Sequence, residues 1–532
     1  MSARPAPDAC IPGGSSRHRG RVDRYGQTVH QIDPAFLALP HRDLASVALE
    51  RARRLGVQHA DFRFERIRYQ HLRVRDGHLL GAAEAEDMGF AVRVVHRGAW
   101  GFASSVTLDR AEAERVAEAA VRTAEVAAAM TRKPVELAPE PVHPDETWIS
   151  SYDVDPSDVP LDDKVGLLTS WTADLVADPR VEHARASAQL VVEQKFYADL
   201  SGTVTTQQRV RVHPAVEVFG TNTDAGVFDS MRTIAPPAGR GWEYLTGTGY
   251  DWDAELAELP SLLEEKLRAP SVEPGRYDLV IDPSNLWLTI HESIGHATEL
   301  DRALGYEANY AGTSFATLDR LGSLQYGSGL LHVTGDRTVE HGLATVGYDD
   351  EGVAAQSWDI VRDGILVGYQ LDRSMASLHP ELNDGRSNGC AYADSPGHIP
   401  IQRMANVSVQ PAPDGPSTHE LVSGVDHGLL VVGDRSWSID MQRYNFQFTG
   451  QRFYRITDGR LAGQVRDVAY QATTTDFWGS MSAVGGPQTW VLGGAFNCGK
   501  AQPGQVASVS HGCPSALFRD INVLNTTAEA GH

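Results

Sequence analysis

The residues best suited to chemistry lie together in the segment His291-Glu292-Ser293-Ile294-Gly295-His296. Neutral imidazole is the commonest protein ligand for zinc. In the usual metallopeptidase motif, H-E-x-x-H, two histidines four residues apart share one helical face, and the Glu beside the first is a general base on metal-bound water. Here the histidines are five residues apart. Two interpretations therefore stay open: a zinc site with Glu292 as the base, or a helix with two unrelated histidines.

The five-residue spacing sets a condition on the helix. On an ideal α-helix, side chains five residues apart point roughly 140° away from each other. Both histidines reach one metal only if the helix is locally widened, and a π-helical turn, helped by Gly295, would do this. The sequence therefore predicts a widened or bent turn between His291 and His296. Asp282 as N-cap and Pro283 behind it predict where the helix begins.

Three side chains are candidates for a third ligand. Glu299 and Asp301 closely follow His296, and each could bind zinc or orient His296 through its other ring nitrogen. Cys498 lies in the Gly-rich segment VLGGAFNCGKAQPGQ, which lets the backbone approach another element closely. A thiolate is a strong zinc ligand, but an isolated cysteine can equally be a small buried apolar residue. The residue types alone leave these candidates open.

Two further motifs indicate other structures. Residues 494–500 fit G-x-x-x-x-G-K, but Ala501 stands where a phosphate-binding loop needs Ser or Thr, and a Pro and a Gly soon after would interrupt the required helix. These departures argue against a nucleotide site. The pair His419-Glu420 has no second His four or five residues on, and together with Ser417 it predicts a capping box at a helix start.

The elements that must position these residues predict an α+β protein. Residues 1–40, rich in Pro, Gly and Ser, are expected to be a disordered extension. Residues 41–132 predict an α+β domain of a helix, a meander sheet and a second helix. Residues 133–272 predict a middle α+β domain set off by Pro-rich segments. Residues 273–532 predict a β-rich domain, a barrel or sandwich, interrupted by the helix with the two histidines.

Composition limits the partners and the compartment. The 532 residues carry a formal net charge of −22, which repels phosphate backbones and argues against nucleic acid. No apolar run approaches the roughly 18 residues that span a bilayer, so we expect no membrane segment. The four cysteines show no C-x-x-C pairing, which suits a reducing, cytoplasmic compartment.

Taken together, the motifs resemble the TldD/PmbA family of metallopeptidases. The main similarity is HESIGHATELD, close to the family's extended H-E-x-x-x-H signature with its following Glu and Asp. Further similarity lies in an acidic-Gly segment, a Gly-Arg segment, a Pro-x-x-Arg-Met-x-Asn segment and a Cys-Gly-Lys loop: residues 349–352, 384–387, 399–406 and 497–500. The resemblance runs from Asp43 to the C-terminus and is specific in about the last 260 residues.

The resemblance implies a fold and a site. It implies an N-terminal α/β domain, a β-rich C-terminal domain, and zinc held by His291, His296 and Cys498 with Glu292 as catalytic base. The intact signature places the chain on the TldD side of the family, since the PmbA (TldE) side lacks it. The segment Ala-Gln-Pro-Gly-Gln after Cys-Gly-Lys departs from shorter family versions and leaves the loop shape open.

The resemblance also implies substrates and partners. The family is associated with cutting unstructured peptides, including peptide-antibiotic precursors and small antitoxins. It works as a heteromer of TldD with a TldE/PmbA-like subunit, with the active site enclosed, and a homodimer is the alternative. Two other functions are compatible with the residues: a non-catalytic peptide-binding subunit with a structural zinc, and an oxidoreductase or other metal enzyme. Loss of cleavage without loss of folding in Glu292→Gln would argue against the first, and redox-silent zinc in the purified protein would argue against the second.

Overall fold

The N-terminal segment is partly folded against the body of the protein. The structure, a computed structural model, describes residues 21–22, 28–502 and 504–529. Much of the expected disordered extension lies outside those residues, but Pro34–Leu37 is helical and Phe36 is buried, so the prediction is wrong there. The reason is local: Asp33 accepts a hydrogen bond from the backbone N–H of Ala35 at 2.8 Å as N-cap, and Pro34 starts the helix.

One sheet takes strands from both predicted N-terminal domains. It has seven strands, antiparallel except for Glu146–Ile149, which runs parallel to its neighbour. In sheet order these are Ala99–Ser105, His78–His96, His59–Arg75, His183–Asp199, Val204–Asn222 and Glu146–Ile149, with Val227–Arg232 also paired to Val204–Asn222. The predicted boundary between residues 132 and 133 therefore falls inside one hydrogen-bonded sheet. We call this sheet and its helices the N-terminal unit.

Two pairs of helices pack on the N-terminal sheet. His41–Arg54 and Arg110–Ala128 share one apolar cluster with it, and Leu161–Val176 and Trp252–Arg268 share a second. The short strands Arg21–Val22 and Thr28–Val29 pair with each other before these elements. The mixed helix and sheet content confirms the predicted α+β class.

The C-terminal region contains a closed barrel. Its five strands are Gly275–Ile281, His427–Ile439, Asn445–Thr457, Val468–Thr473 and Ala516–Asn525. The barrel closes because the first strand pairs in parallel with the second and antiparallel with the last. Closure removes the free sheet edges. It also confirms the prediction of a β-rich domain, in its barrel form.

Smaller elements surround the barrel. Arg460–Val465 and Met481–Val484 pair with barrel strands. A four-stranded sheet has the order Ile365–Leu366, Ser357–Arg362, Val333–Asp336 and Asn406–Val409. Two hairpins are Ala391–Tyr392 with Ile401–Gln402, and Val491–Lys500 with Gln505–Cys513. The short α-helices are Pro283–Ile290, Leu300–Ala303, Arg373–Leu378, Thr418–Ser423, Thr474–Gly479 and Thr526–Glu529. No helix in the described part of the chain is long and apolar enough to cross a membrane.

The helix with the two histidines lies in the core of the C-terminal region. It runs from Pro283 through residue 298 in three consecutive forms: α, π and 3-10. Its apolar residues Ile290 and Ile294 are fully buried. It packs against barrel strand His427–Ile439 on one side and the hairpin Val491–Lys500/Gln505–Cys513 on another. We call residues 283–298 the histidine helix and this hairpin the cysteine hairpin.

Candidate metal centre

The histidine helix begins where the sequence predicts. The Asp282 carboxylate accepts a hydrogen bond from the backbone N–H of Ser284 at 2.9 Å, and Pro283 occupies the first turn. The helix is α-helical as far as Ile290. Strand Gly275–Ile281 of the barrel leads directly into it, so the barrel fixes its starting point.

Between the two histidines the helix is a π-helix. The π turn spans His291–Gly295, and the backbone N–H of His296 donates to the carbonyl of His291, five residues back. This confirms the predicted widened turn. Five residues then make about one full turn, so both histidine side chains lie on the same side of the helix.

Side chains from outside the helix stabilise the π turn. The Tyr326 hydroxyl donates to the carbonyl of Ser293 at 2.5 Å, and the Gln370 amide donates to the carbonyl of Gly295 at 2.7 Å. A Cβ at Gly295 would lie 2.5 Å from Sδ of Met404. The turn is therefore specified by external hydrogen bonds and by a position where a side chain has no room.

Three predicted ligands meet beside this turn. His291, His296 and Cys498 each place one possible ligand atom within 4.8 Å of the others, and all three residues are buried. Sγ of Cys498 lies 3.4 Å from Nε2 of His296, and the two imidazole centroids are 4.7 Å apart. Cys498 comes from the cysteine hairpin, 202 residues away in sequence. Two nitrogens and one sulfur form a donor set that suits zinc.

The surroundings of the cluster favour the protonation states that bind a metal: neutral imidazoles and a thiolate. Burial lowers the pKa of both His291 and His296, which favours the neutral, metal-binding imidazole. Burial alone would raise the pKa of the Cys498 thiol, but the nearby His296 and the Arg403 guanidinium outweigh it and hold that pKa below its usual value. Arg403 also donates to the backbone carbonyl of Cys498 at 2.6 Å. The site therefore favours a thiolate in a fixed position.

Glu299 contacts His296 from outside the cluster. Its Oε2 lies 2.8 Å from Nδ1 of His296, and its Oε1 accepts from Nζ of Lys500 at 3.0 Å. Asp301 also binds Lys500, at 2.8 Å. Neither carboxylate is among the three grouped ligands. Of the two interpretations left open by the sequence, this geometry favours Glu299 as the carboxylate that orients His296, with Lys500 joining the helix end to the cysteine hairpin.

Glu292 faces a positive charge. Its Oε2 accepts a hydrogen bond from Nη1 of Arg443 at 2.6 Å. Arg443 also donates to the carbonyl of Ala311 at 3.3 Å. It stands in the turn between barrel strands His427–Ile439 and Asn445–Thr457 with φ of +63°. Nothing in the sequence around Arg443 marked it, because the pairing joins residues 151 positions apart.

His511 was also missed by sequence reasoning. It lies on the second strand of the cysteine hairpin, fully buried, with Nε2 2.7 Å from Nδ1 of His291. A lone His in the segment VSHGCPS gives no signal of its own. It could have been found only by knowing that this strand pairs with the one that carries Cys498.

The other segments of the family resemblance lie in different places. Arg403 and Met404 reach the site, as described above. The acidic-Gly segment instead joins the C-terminal region to the N-terminal unit, for Asp350 binds Lys195 at 2.7 Å. Arg386 of the Gly-Arg segment pairs with Glu140 at 2.8 Å. Residues 494–500 lie on a strand rather than before a helix, which agrees with the exclusion of a phosphate-binding loop.

Two sequence profiles of one family match the chain. Residues 274–525 match the PmbA/TldA metallopeptidase C-terminal domain, and residues 60–124 match PmbA/TldA metallopeptidase domain 1. The C-terminal match contains all four predicted site residues.

Individual proteins show the same relationship. A metalloprotease of Methanothermobacter thermautotrophicus is 28% identical over 486 residues, which cover 88% of this chain and 96% of the relative. A zinc metalloprotease TldD homolog of Saccharolobus solfataricus is 23% identical over 275 residues, 52% of this chain and 57% of the relative. The solved structure of TldE from Thermococcus kodakarensis covers 91% of this chain and 99% of its own, with a TM-score of 0.65 at 14% identity. That last similarity shows a shared fold.

Proposed function

The chain belongs to the PmbA/TldD family of metallopeptidases, and we propose that it hydrolyses peptide bonds of unstructured peptides with a zinc ion held by His291, His296 and Cys498. The observation that carries the proposal is the convergence of these three buried side chains beside a π-helical turn. The chemistry of the donor set fits zinc: two imidazoles whose Nδ1 atoms are already hydrogen-bonded, and a thiol whose pKa is held low.

Different residues of the chain would bind the metal and transfer the proton during hydrolysis. Zinc at this site would polarise a bound water and lower its pKa. Glu292 is the general base in the proposal, because it adjoins His291 in sequence, is buried, and lies near enough to influence the pKa of His291. Arg443 engages its Oε2, so we assign proton transfer to Oε1. The same carboxyl oxygen would then deliver the proton to the leaving amine.

Arg443 has a second use in the proposal. A guanidinium next to the base can donate to an oxygen that gains negative charge as a peptide carbonyl is attacked. Arg443 is held by Glu292 and by the carbonyl of Ala311, so its head is already oriented before substrate binds. Burial lowers the pKa of Arg443, yet a guanidinium stays charged at neutral pH.

The expected substrate is an extended peptide, and a second subunit is expected to enclose it. The surface next to Arg443 carries the exposed side chains Tyr306, Tyr310 and Met441. The segment that follows the two tyrosines is joined to the segment of Met441 by a 2.7 Å hydrogen bond from the backbone N–H of Thr313 to the carbonyl of Met441. Exposed aromatic and apolar side chains beside a reactive site favour a covering partner. The similarity to the solved structure of TldE supports a paralogous subunit as that partner, and a homodimer is the alternative.

Two further expectations stay with the proposal. We propose a domain boundary between residues 272 and 273, because the barrel begins at Gly275 while the preceding helices pack on the N-terminal sheet. A cytoplasmic location is proposed from the cysteines, since Cys390, Cys498 and Cys513 are free thiols and buried.

Peptide cleavage by matched Glu→Gln variants tests the proposal. Glu292→Gln should lose about 10²–10⁴-fold in cleavage of a disordered peptide, followed by mass spectrometry, while elemental analysis finds zinc retained. The control is Glu420→Gln. Glu420 also follows a histidine, but it is exposed and closes a capping box, a role that Gln preserves. Zinc bound without any cleavage by the wild type would favour the non-catalytic alternative, and full activity in Glu292→Gln would remove the base assignment.

Assembly is tested separately. The chain should be purified from its native host, sized by gel filtration, and assayed alone and with any co-purifying subunit. We expect weak cleavage by the isolated chain and stronger cleavage by the complex. Full activity of a monomeric preparation would contradict the enclosed-site proposal, as would equal cleavage of folded proteins.

A further inference from the structure

His511 touches a proposed ligand without belonging to the ligand set. Its Nε2 lies 2.7 Å from Nδ1 of His291, and the two rings are inclined by 76° with centroids 4.9 Å apart. The side chain is fully buried, so no water competes freely for this contact. The pair therefore forms a hydrogen bond between two imidazoles, in which one ring must donate and the other accept.

The other nitrogen of His511 decides which ring donates. Nδ1 of His511 lies 2.9 Å from the carbonyl oxygen of Val407. A carbonyl can only accept, so this nitrogen carries the proton and Nε2 presents a lone pair. Nε2 then accepts from Nδ1–H of His291. Nε2 of His291, now without a proton, is left to bind a metal.

The backbone around His511 is fixed to the backbone around Val407. Residues on each side of His511 donate backbone N–H groups to side chains on each side of Val407. These bonds are Ser510 to Asn406 Oδ1 at 3.2 Å and Gly512 to Ser408 Oγ at 2.9 Å. The imidazole also lies nearly parallel to the Trp287 indole, at 10°. The backbone that carries the ring is therefore fixed, and the ring lies alongside an aromatic side chain with centroids 6.4 Å apart.

The two histidine ligands are thus oriented by different groups. His296 has a carboxylate at Nδ1, from Glu299, which in turn binds Lys500. His291 has a neutral imidazole at the same position. We propose that His511 is a positioning residue that fixes the tautomer and orientation of His291. It donates a hydrogen bond to the Val407 carbonyl and accepts one from Nδ1–H of His291. This inference rests on the proposed metal site.

Removing the acceptor should weaken the metal site without changing its ligands. Outer hydrogen-bond partners of metal-binding histidines change metal affinity about 10–100-fold. In His511→Phe the ring still covers Trp287, but Nδ1–H of His291 loses its acceptor. In His511→Gln the side-chain oxygen can still accept this hydrogen bond.

Zinc dissociation constants of the full chain, measured with zinc alone against a chromophoric chelator, test the proposal. We expect His511→Phe to weaken zinc binding about 10–100-fold, and His511→Gln to recover most of that loss. The matched control is His41→Phe, because His41 is also buried and packs on Phe36 and Phe196 in the N-terminal unit. Equal zinc affinity in wild type and His511→Phe, or an equal loss in the Phe and Gln variants, would overturn the inference. A wild type that binds no zinc would overturn the proposed function instead.

NMR of the wild-type protein tests the same proposal with His511 in place. In zinc-free wild type labelled with ¹⁵N-histidine, two-bond proton–nitrogen spectra report which ring nitrogen is protonated. The signals of His291 and His511 are assigned by their loss in single His→Gln variants. Both rings should be protonated at Nδ1. Protonation of His291 at Nε2 would overturn the proposal even if His511→Phe failed to fold.

Discussion

Gly295 is the last residue of the π turn in the histidine helix, and Gly295→Ala tests why this position is glycine. Its φ of −53° and ψ of −59° are right-handed, so an alanine backbone fits without strain. The added Cβ would lie 2.5 Å from Sδ and 2.9 Å from Cε of Met404, and 3.4 Å from Cε1 of His511. Met404 is itself buried and cannot turn out into solvent. The substitution therefore overpacks the wall of the site.

The magnitude follows from comparison with an open glycine. Gly166 is exposed on helix Leu161–Val176, and a Cβ added there would meet no other atom within 4 Å, so Gly166→Ala should stabilise by about 1 kcal/mol through helix propensity. Gly295→Ala carries an overpacking cost of about 1–3 kcal/mol. For a region of about 250 residues, each kcal/mol moves the melting temperature by about 2–4 °C. We expect the melting temperature to fall in Gly295→Ala and to rise in Gly166→Ala.

Thermal unfolding of zinc-free protein, followed by circular dichroism, measures both shifts. Met404→Ala makes room beside Gly295 at its own cost of about 2–5 kcal/mol. In that background Gly295→Ala should stop destabilising, because the clash is gone. A higher melting temperature in Gly295→Ala alone would show that position 295 has room for a side chain. An equal loss with and without Met404 would show that Met404 is not the cause of the clash.

Three other substitutions separate catalysis, metal binding and folding. Arg443→Met removes a charge-assisted hydrogen bond to Glu292, typically about 1.5–3 kcal/mol, so kcat/KM on a disordered peptide should fall about 10–100-fold with zinc content unchanged. Lys500→Met removes the ammonium that two buried carboxylates, Glu299 and Asp301, share, which costs about 3–5 kcal/mol, so melting temperature and zinc affinity should both fall. Burial and the nearby Glu351 raise the pKa of Asp372 to about 8. Between about pH 4, the pKa of this group in the unfolded chain, and pH 8, only the folded state keeps the proton. The stability of the wild type therefore falls as the pH rises through this range. The melting temperature of Asp372→Asn should fall less over the same range than that of the wild type.

The cleavage prediction has a control variant, and each of the three predictions has a contrary result. Arg362→Met breaks an exposed ion pair and should leave cleavage unchanged. Zinc loss in Arg443→Met would show that this arginine supports the metal rather than the base. Normal stability in Lys500→Met would argue against a buried ion network. A parallel pH dependence of the melting temperature in Asp372→Asn and wild type would show that this carboxyl is ionised in the folded state.

The sequence predicts the local parts of the site well. The Asp282 cap and the π turn follow from residue types and spacing over a few positions, and the structure has both. The place of Cys498 beside His296 came from the family resemblance, because no local pattern joins residues 202 positions apart. Arg443 and His511 were missed for the same reason: each reaches the site through strand pairing that the sequence does not display.

The domain division shows the same limit. Pro-rich composition predicts a linker near residue 133, but the strands on both sides of it pair in one sheet. A proline-rich segment marks the absence of regular structure locally, and it carries no information on which strands pair across it. The helix at Pro34–Leu37 has a local start signal, Asp33 followed by Pro34, in its own sequence. The prediction of disorder missed this signal because it was based on the Pro, Gly and Ser content of the preceding residues.

Zinc K-edge X-ray absorption of the purified full chain tests directly whether the chain binds zinc through His291, His296 and Cys498. We expect one zinc per chain with one sulfur at about 2.3 Å and nitrogen ligands at about 2.0–2.1 Å. The sulfur should disappear in Cys498→Ser and persist in Cys390→Ser, a second buried thiol. A sulfur-free shell in the wild type would remove Cys498 from the site and turn attention to Glu299. A sulfur signal that survives Cys498→Ser would contradict the assignment as well.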